Sequence, residues 1–149
     1  NWDKLKANER KASGKIEKEK DSILDDVTAH FPALLEGLKL TKKAAKVGFD
    51  WENTDQIFEK LEEEISELKA ASGNGETENI AEEIGDLLFV VLNLARKLVV
   101  DGETALKKTN RKFRQRFKFI ESELKKDAKT LENASLIEMD ELWNKAKSK

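Results

Sequence analysis

Residues 76–100 read ETENIAEEIGDLLFVVLNLARKLVV. On a helical period Ile80, Ile84, Leu87, Leu88, Val90, Val91, Leu92 and Leu94 cover most of the circumference, so the segment reads as a largely buried helix. Glu83 and Asp86 interrupt that apolar surface, and Asn93, seven residues after Asp86, falls on the same strip. Acids in such a helix are tolerated when they meet a metal ion or a cationic partner.

Upstream lies a second acidic pattern, Glu63-Glu64-x-x-Glu67, with fifteen residues between it and Glu83. Residues three or four apart on a helix stand over one another, so each pattern projects carboxylates sideways. Ile57, Phe58, Leu61, Ile65 and Leu68 define an apolar arc there. Glu64 sits at its edge, with Glu67 next round and Glu63 just beyond. If the two helices run antiparallel, the clusters meet. Four or five carboxylates cannot share one site as bare anions, so the site calls for divalent cations, most naturally magnesium. That chemistry points to hydrolysis of a phosphate-rich substrate. The competing view is a solvated acidic face. It suits Glu59, Glu62 and Glu76 but not Glu83 and Asp86, whose helix has little polar face.

The remaining chain supports an all-α protein. Of 149 residues 39% are charged and 38% hydrophobic, with one Pro and no Tyr, so a core requires apolar helical stripes. Pro32 opens a helix over Ala33–Val47 that stops at Gly48. Asn53 or Thr54 caps a second, which ends in Ser72-Gly73-Asn74-Gly75. The third runs from about Glu76 to Val100 and the fourth from about Glu103 to Lys126. Ser135-x-x-Glu138 then reads as a capping box for a last helix. Short links favour an antiparallel, up-down bundle. Residues 1–28 are lysine-rich, with too few apolar residues for a core helix. The path of the linker from Ala7 to Thr28 is open.

With a net charge of −2 and both signs mixed, no nucleic acid polymer or anionic membrane is expected as a partner. The apolar run Leu87–Leu92 is far too short to span a bilayer. Absence of Cys excludes disulfides and thiolate metal sites. An all-oxygen ligand set is hard and suits magnesium, or manganese in its place, better than iron. The single histidine, His30, lies outside every acidic pattern and is assigned no role. Lacking an initiator Met, the chain reads as a piece of a longer cytoplasmic protein.

A metal–phosphate site also needs cations for the outer phosphates. Lys112 and Arg116 stand one turn apart on the fourth helix, with Asn110 nearby and Phe113 and Phe117 expected toward the core. A solvated basic stripe explains the same residues equally well. Trp143 and Lys147 form a similar pair, although Trp143 alone could be a core anchor. Trp2-x-x-x-Lys6 repeats that pattern near the start.

Together Val47-Gly48-Phe49-Asp50-Trp51, Glu63-Glu64-x-x-Glu67, Glu83-x-x-Asp86-Leu-Leu-Phe, Asn93-Leu-Ala-Arg96 and Asn110-Arg-Lys112-Phe-Arg-Gln-Arg116-Phe resemble the MazG nucleoside triphosphate pyrophosphohydrolases. The likeness spans about Phe31 to Lys147. It implies a dimeric all-α bundle that cleaves nucleoside triphosphates to monophosphate and pyrophosphate with magnesium. Glu64, Glu67, Glu83 and Asp86 would be metal ligands. Glu63 would orient the attacking water or take its proton. Lys112, Arg116, Trp143 and Lys147 would contact the nucleotide, with Asn93 and Asn110 in support. Members often carry two modules in tandem. Residues 1–28 then look like the tail of a preceding module plus a charged linker, and residues 29–149 like the catalytic domain. Lys6 would reach a nucleotide only if the linker folds back or a partner chain supplies it. Two other readings stand beside this one: a nucleotide-binding regulatory module with little catalysis in isolation, and a structural dimerisation bundle. A third helix so apolar all round calls for a second copy to cover it.

Overall fold

The computed structural model describes residues 2–12 and 20–148, and these form helices joined by turns, with no strand among them. The middle of the expected linker, residues 13–19, lies outside the described residues. Two compact units divide between Glu52 and Asn53.

The first unit holds α1 (Trp2–Ala12), a 3₁₀ turn (Ile23–Asp26) and α2 (Ala33–Lys46). The linker's first residues are thus helical, although α1 exposes its apolar residues Trp2 and Leu5. The turn is capped by Ser22: its Oγ accepts from the Leu24 N–H at 3.1 Å, and its own N–H donates to Asp25 Oδ2 at 3.0 Å. Asp26 accepts from both Lys20 and Lys43, tying the turn to α2. Those two ammonium groups hold the Asp26 carboxyl down at about 2.

In the second unit α3 (Thr54–Asn74) and α4 (Thr77–Lys97) form a helical hairpin, followed by a second hairpin of α5 (Gly102–Lys126) and α6 (Leu136–Lys147). A 3₁₀ turn at Leu131–Asn133 joins α5 to α6, and α4 also packs on α5. The expected caps are in place. Asn53 accepts from the Gln56 N–H at 3.0 Å, and Ser135 Oγ from the Glu138 N–H at 3.2 Å. Ile57, Ala71, Val90, Leu92, Ile120 and Leu124 are buried.

Four helices close in the same way, with the chain reversing through a left-handed residue. Gly48 (φ 91°) follows α2 and Gly75 (φ 69°) follows α3, where glycine carries no steric penalty. Val99 (φ 59°) and Ala128 (φ 56°) do the same after α4 and α5. Val100 N–H donates to the Ala95 carbonyl at 2.8 Å and Val99 N–H to Arg96 at 3.1 Å. This closure ends α4 at Lys97, short of the expected Val100.

The expectation of a largely buried α4 fails within the single chain. Leu88 is 57% exposed, and Ile84, Phe89 and Val91 are exposed as well. Phe113 is likewise 57% exposed rather than turned into the core.

Candidate functional site

The cap at Asn53 fixes the start of α3, and two turns later the helix presents Lys60, Glu63, Glu64 and Glu67. Glu64 is buried, at 4% exposure. Its Oε1 accepts from Lys60 Nζ at 2.7 Å, and the same ammonium reaches Glu63 Oε1 at 2.9 Å. The hairpin brings α4 back alongside. One carboxylate oxygen from each of Glu64, Glu83 and Asp86 then lies within 4.8 Å of the others. The two acidic patterns meet as their spacing suggests. Glu67 lies outside this triad, and its charge bears on Glu83.

The triad is electrostatically unsatisfied. Oε2 of Glu64 and Oε2 of Glu83 are buried with no hydrogen-bond partner. A buried acceptor left unmet costs about 1–3 kcal/mol, and more when charged. Burial first, then the charges of Glu67, Glu64 and Asp86, push the Glu83 carboxyl above its usual range. The donor set is all oxygen, which suits a hard divalent cation. Any three points no more than 4.8 Å apart fit a circle of radius about 2.8 Å, so a small closure reaches the 2.0–2.6 Å range of magnesium and calcium bonds. The residues therefore fit a divalent ion.

Asn93 is buried on α4. Its amide donates to the Phe89 carbonyl at 3.4 Å and accepts from Arg96 Nη2 at 3.3 Å. Asn110 is exposed on α5.

On the second hairpin Lys112, Arg116 and Lys147 line one open hollow with Gln115, Phe119 and Ala146. The Arg116 guanidinium lies 5.4 Å from the centre of the Trp143 ring, and Phe113 packs against that ring at 5.4 Å, tilted by 55°. The structure thus gathers Lys112, Arg116, Trp143 and Lys147 between α5 and α6, and the carboxylates between α3 and α4. Lys6 belongs to the first unit, where its ammonium stands 5.9 Å from the Trp2 ring centre. Lys60 was not among the expected site residues. Its spacing of three and four from Glu63 and Glu64 is the signal that could have found it.

A helical hairpin whose three carboxylates could hold a metal ion, followed by a basic and aromatic hairpin, defines an all-α protein with a candidate carboxylate site. Residues 31–125 match the model of the phosphoribosyl-ATP pyrophosphohydrolase family, and the chain belongs to that family. The MazG resemblance of its motifs holds among curated relatives. Over 146 residues, 98% of this chain, it is 42% identical to the nucleoside triphosphate pyrophosphohydrolase/pyrophosphatase MazG of Thermotoga maritima. It is 36% identical over 148 residues to the nucleoside triphosphate pyrophosphohydrolase of Escherichia coli K12. An uncharacterized Bacillus subtilis protein, YabN, is 43% identical over 148 residues, which make up 29% of that protein. The chain spans 54% of the length of the first two, about half.

Proposed function

We propose that this chain hydrolyses nucleoside triphosphates to the monophosphate and pyrophosphate with magnesium, manganese being a possible substitute. The observation that carries the proposal is the Glu64, Glu83 and Asp86 triad with two buried carboxylate oxygens unsatisfied. The names of the relatives add the substrate class and the bond cleaved.

In this reading Glu64, Glu83 and Asp86 hold the cation, with Glu67, one turn on from Glu64, completing the set. A divalent cation held there would supply charge neutralisation for the triphosphate and a lowered pKa for the attacking water. Glu63, exposed beside Glu64, takes a proton from the attacking water. The water oxygen bonds to the α-phosphorus, the bond to the α–β bridging oxygen breaks, and pyrophosphate departs with the electron pair. Lys112, Arg116 and Lys147 stabilise the charge that develops on pyrophosphate. Trp143 offers a base-stacking face, with Asn93 and Asn110 in supporting contacts, and Lys6 joins them only if the linker folds back or a partner chain supplies it. We place the tail of a preceding module and a linker in residues 1–28 and the catalytic domain in residues 29–149, in a cytoplasmic protein. Among the described residues no helix is long and apolar enough to cross a membrane. A homodimer would cover the exposed Ile84, Leu88, Phe89 and Val91 of α4.

The test is product analysis after incubation with a nucleoside triphosphate mixture, with and without magnesium. Monophosphate and pyrophosphate that form only with the metal support the proposal. Diphosphate with orthophosphate, or no product, contradicts it.

A further inference from the structure

One cation already sits against the triad. Lys60 Nζ lies 2.7 Å from Glu64 Oε1, and the Glu64 side chain is only 5% exposed. The same carboxylate supplies an oxygen to the group with Glu83 and Asp86. Its other oxygen, Oε2, is buried and unpartnered, so the ammonium leaves the carboxylate half satisfied. Helix stabilisation alone is a weak account of the pair. Lysine lies N-terminal to glutamate here, the less favourable order for a pair four residues apart. An ammonium on Glu64 and a divalent ion among the same oxygens would be like charges a few ångströms apart, sharing a carboxylate that is itself buried.

We propose that Lys60 is the resident counter-cation of the metal-free site and that an incoming divalent ion displaces it from Glu64. Lys60 then sets metal affinity by competition. It offsets carboxylate repulsion before the metal arrives and weakens metal binding by the work of its release. The inference rests on the reading of the triad as a divalent-ion site.

Mn2+ binding to the full chain, measured by calorimetry at fixed ionic strength without nucleotide, tests it. Lys60→Met keeps the length of the side chain and removes its charge, and should bind Mn2+ about tenfold more tightly than the wild type. Lys60→Arg keeps the charge and should stay within about threefold of the wild type. Equal or weaker binding by Lys60→Met overturns the proposal, because Lys60 would then support Glu64 rather than compete for it. A second measurement needs only the wild-type fold: the NMR signal of the Lys60 ε-methylene, labelled with carbon-13, during a Mg2+ titration. Displacement predicts that the signal shifts and sharpens in step with binding; an unmoved signal overturns it. Normal Mn2+ binding with an unresponsive Lys60 defeats the competition alone. Absence of saturable Mn2+ binding by the wild type defeats the site reading beneath it.

Discussion

Asp86→Asn removes one negative charge from the triad and keeps the size of the side chain. Asp86 is exposed on α4, so the fold should tolerate the change. The magnitude follows from the geometry. The three oxygens fit a circle of radius about 2.8 Å, which sets the distance from a central ion to each. At that separation a divalent and a unit charge attract by about 3 kcal/mol even at the dielectric constant of water. Because the carboxylate is solvated, that lower limit is the appropriate figure. It corresponds to about a hundredfold weaker binding. Calorimetric titration with Mg2+ or Mn2+ reads the loss directly, with circular dichroism to confirm unchanged helicity. Affinity within about threefold of the wild type in a folded Asp86→Asn protein would refute the triad as the metal site.

Glu83→Gln should separate stability from function. The folded-state pKa of Glu83 lies above its usual 4.5, so its contribution to stability is fully present below that value and is lost as pH rises through the folded pKa. In chelator, the Gln variant should therefore become more heat-stable than the wild type as pH rises above 4.5 and through the folded pKa, while losing the stabilisation that Mg2+ gives. A variant less stable at pH 8 would contradict the repulsion described at this carboxyl. Val99→Gly should raise stability by about 1 kcal/mol, since it removes a β-branched residue from the left-handed region. Val99 is 92% exposed, so little packing is lost, and urea unfolding checks the sign. Arg116→Ala removes a cation from both the open hollow and the Trp143 face. It should lower kcat/KM for nucleoside triphosphates by about a hundredfold and leave Mn2+ affinity unchanged.

Much of the fold is legible because helix ends carry local chemistry. Asn53, Gly75 and Ser135 bound their helices in the structure as the sequence suggests, each through a hydrogen bond or backbone conformation made within a few residues. The end of α4 was not legible, because Val99 adopts a conformation that its own preference opposes. Nor was α1, a helix with no apolar stripe to announce it. Within the site, the three-residue spacings Glu64-x-x-Glu67 and Glu83-x-x-Asp86 were readable as two helical patterns that could meet. Their ranking by burial was not: Glu64 is the most enclosed, while Asp86, set in the more apolar helix, is exposed. Periodicity reports which residues share a face, but not what covers that face. The same gap explains Phe113 and the open surface of α4. Lys60 escaped notice because, in a chain 39% charged, its spacing from Glu63 and Glu64 resembles many ordinary helix pairs.

Turnover in water enriched in oxygen-18, followed by mass spectrometry of both products, tests the central claim most directly. Attack at the α-phosphorus places the label in the nucleoside monophosphate and leaves pyrophosphate unlabelled, and that is the expected result. Label in pyrophosphate would mean attack at the β-phosphorus and would contradict the proposed chemistry.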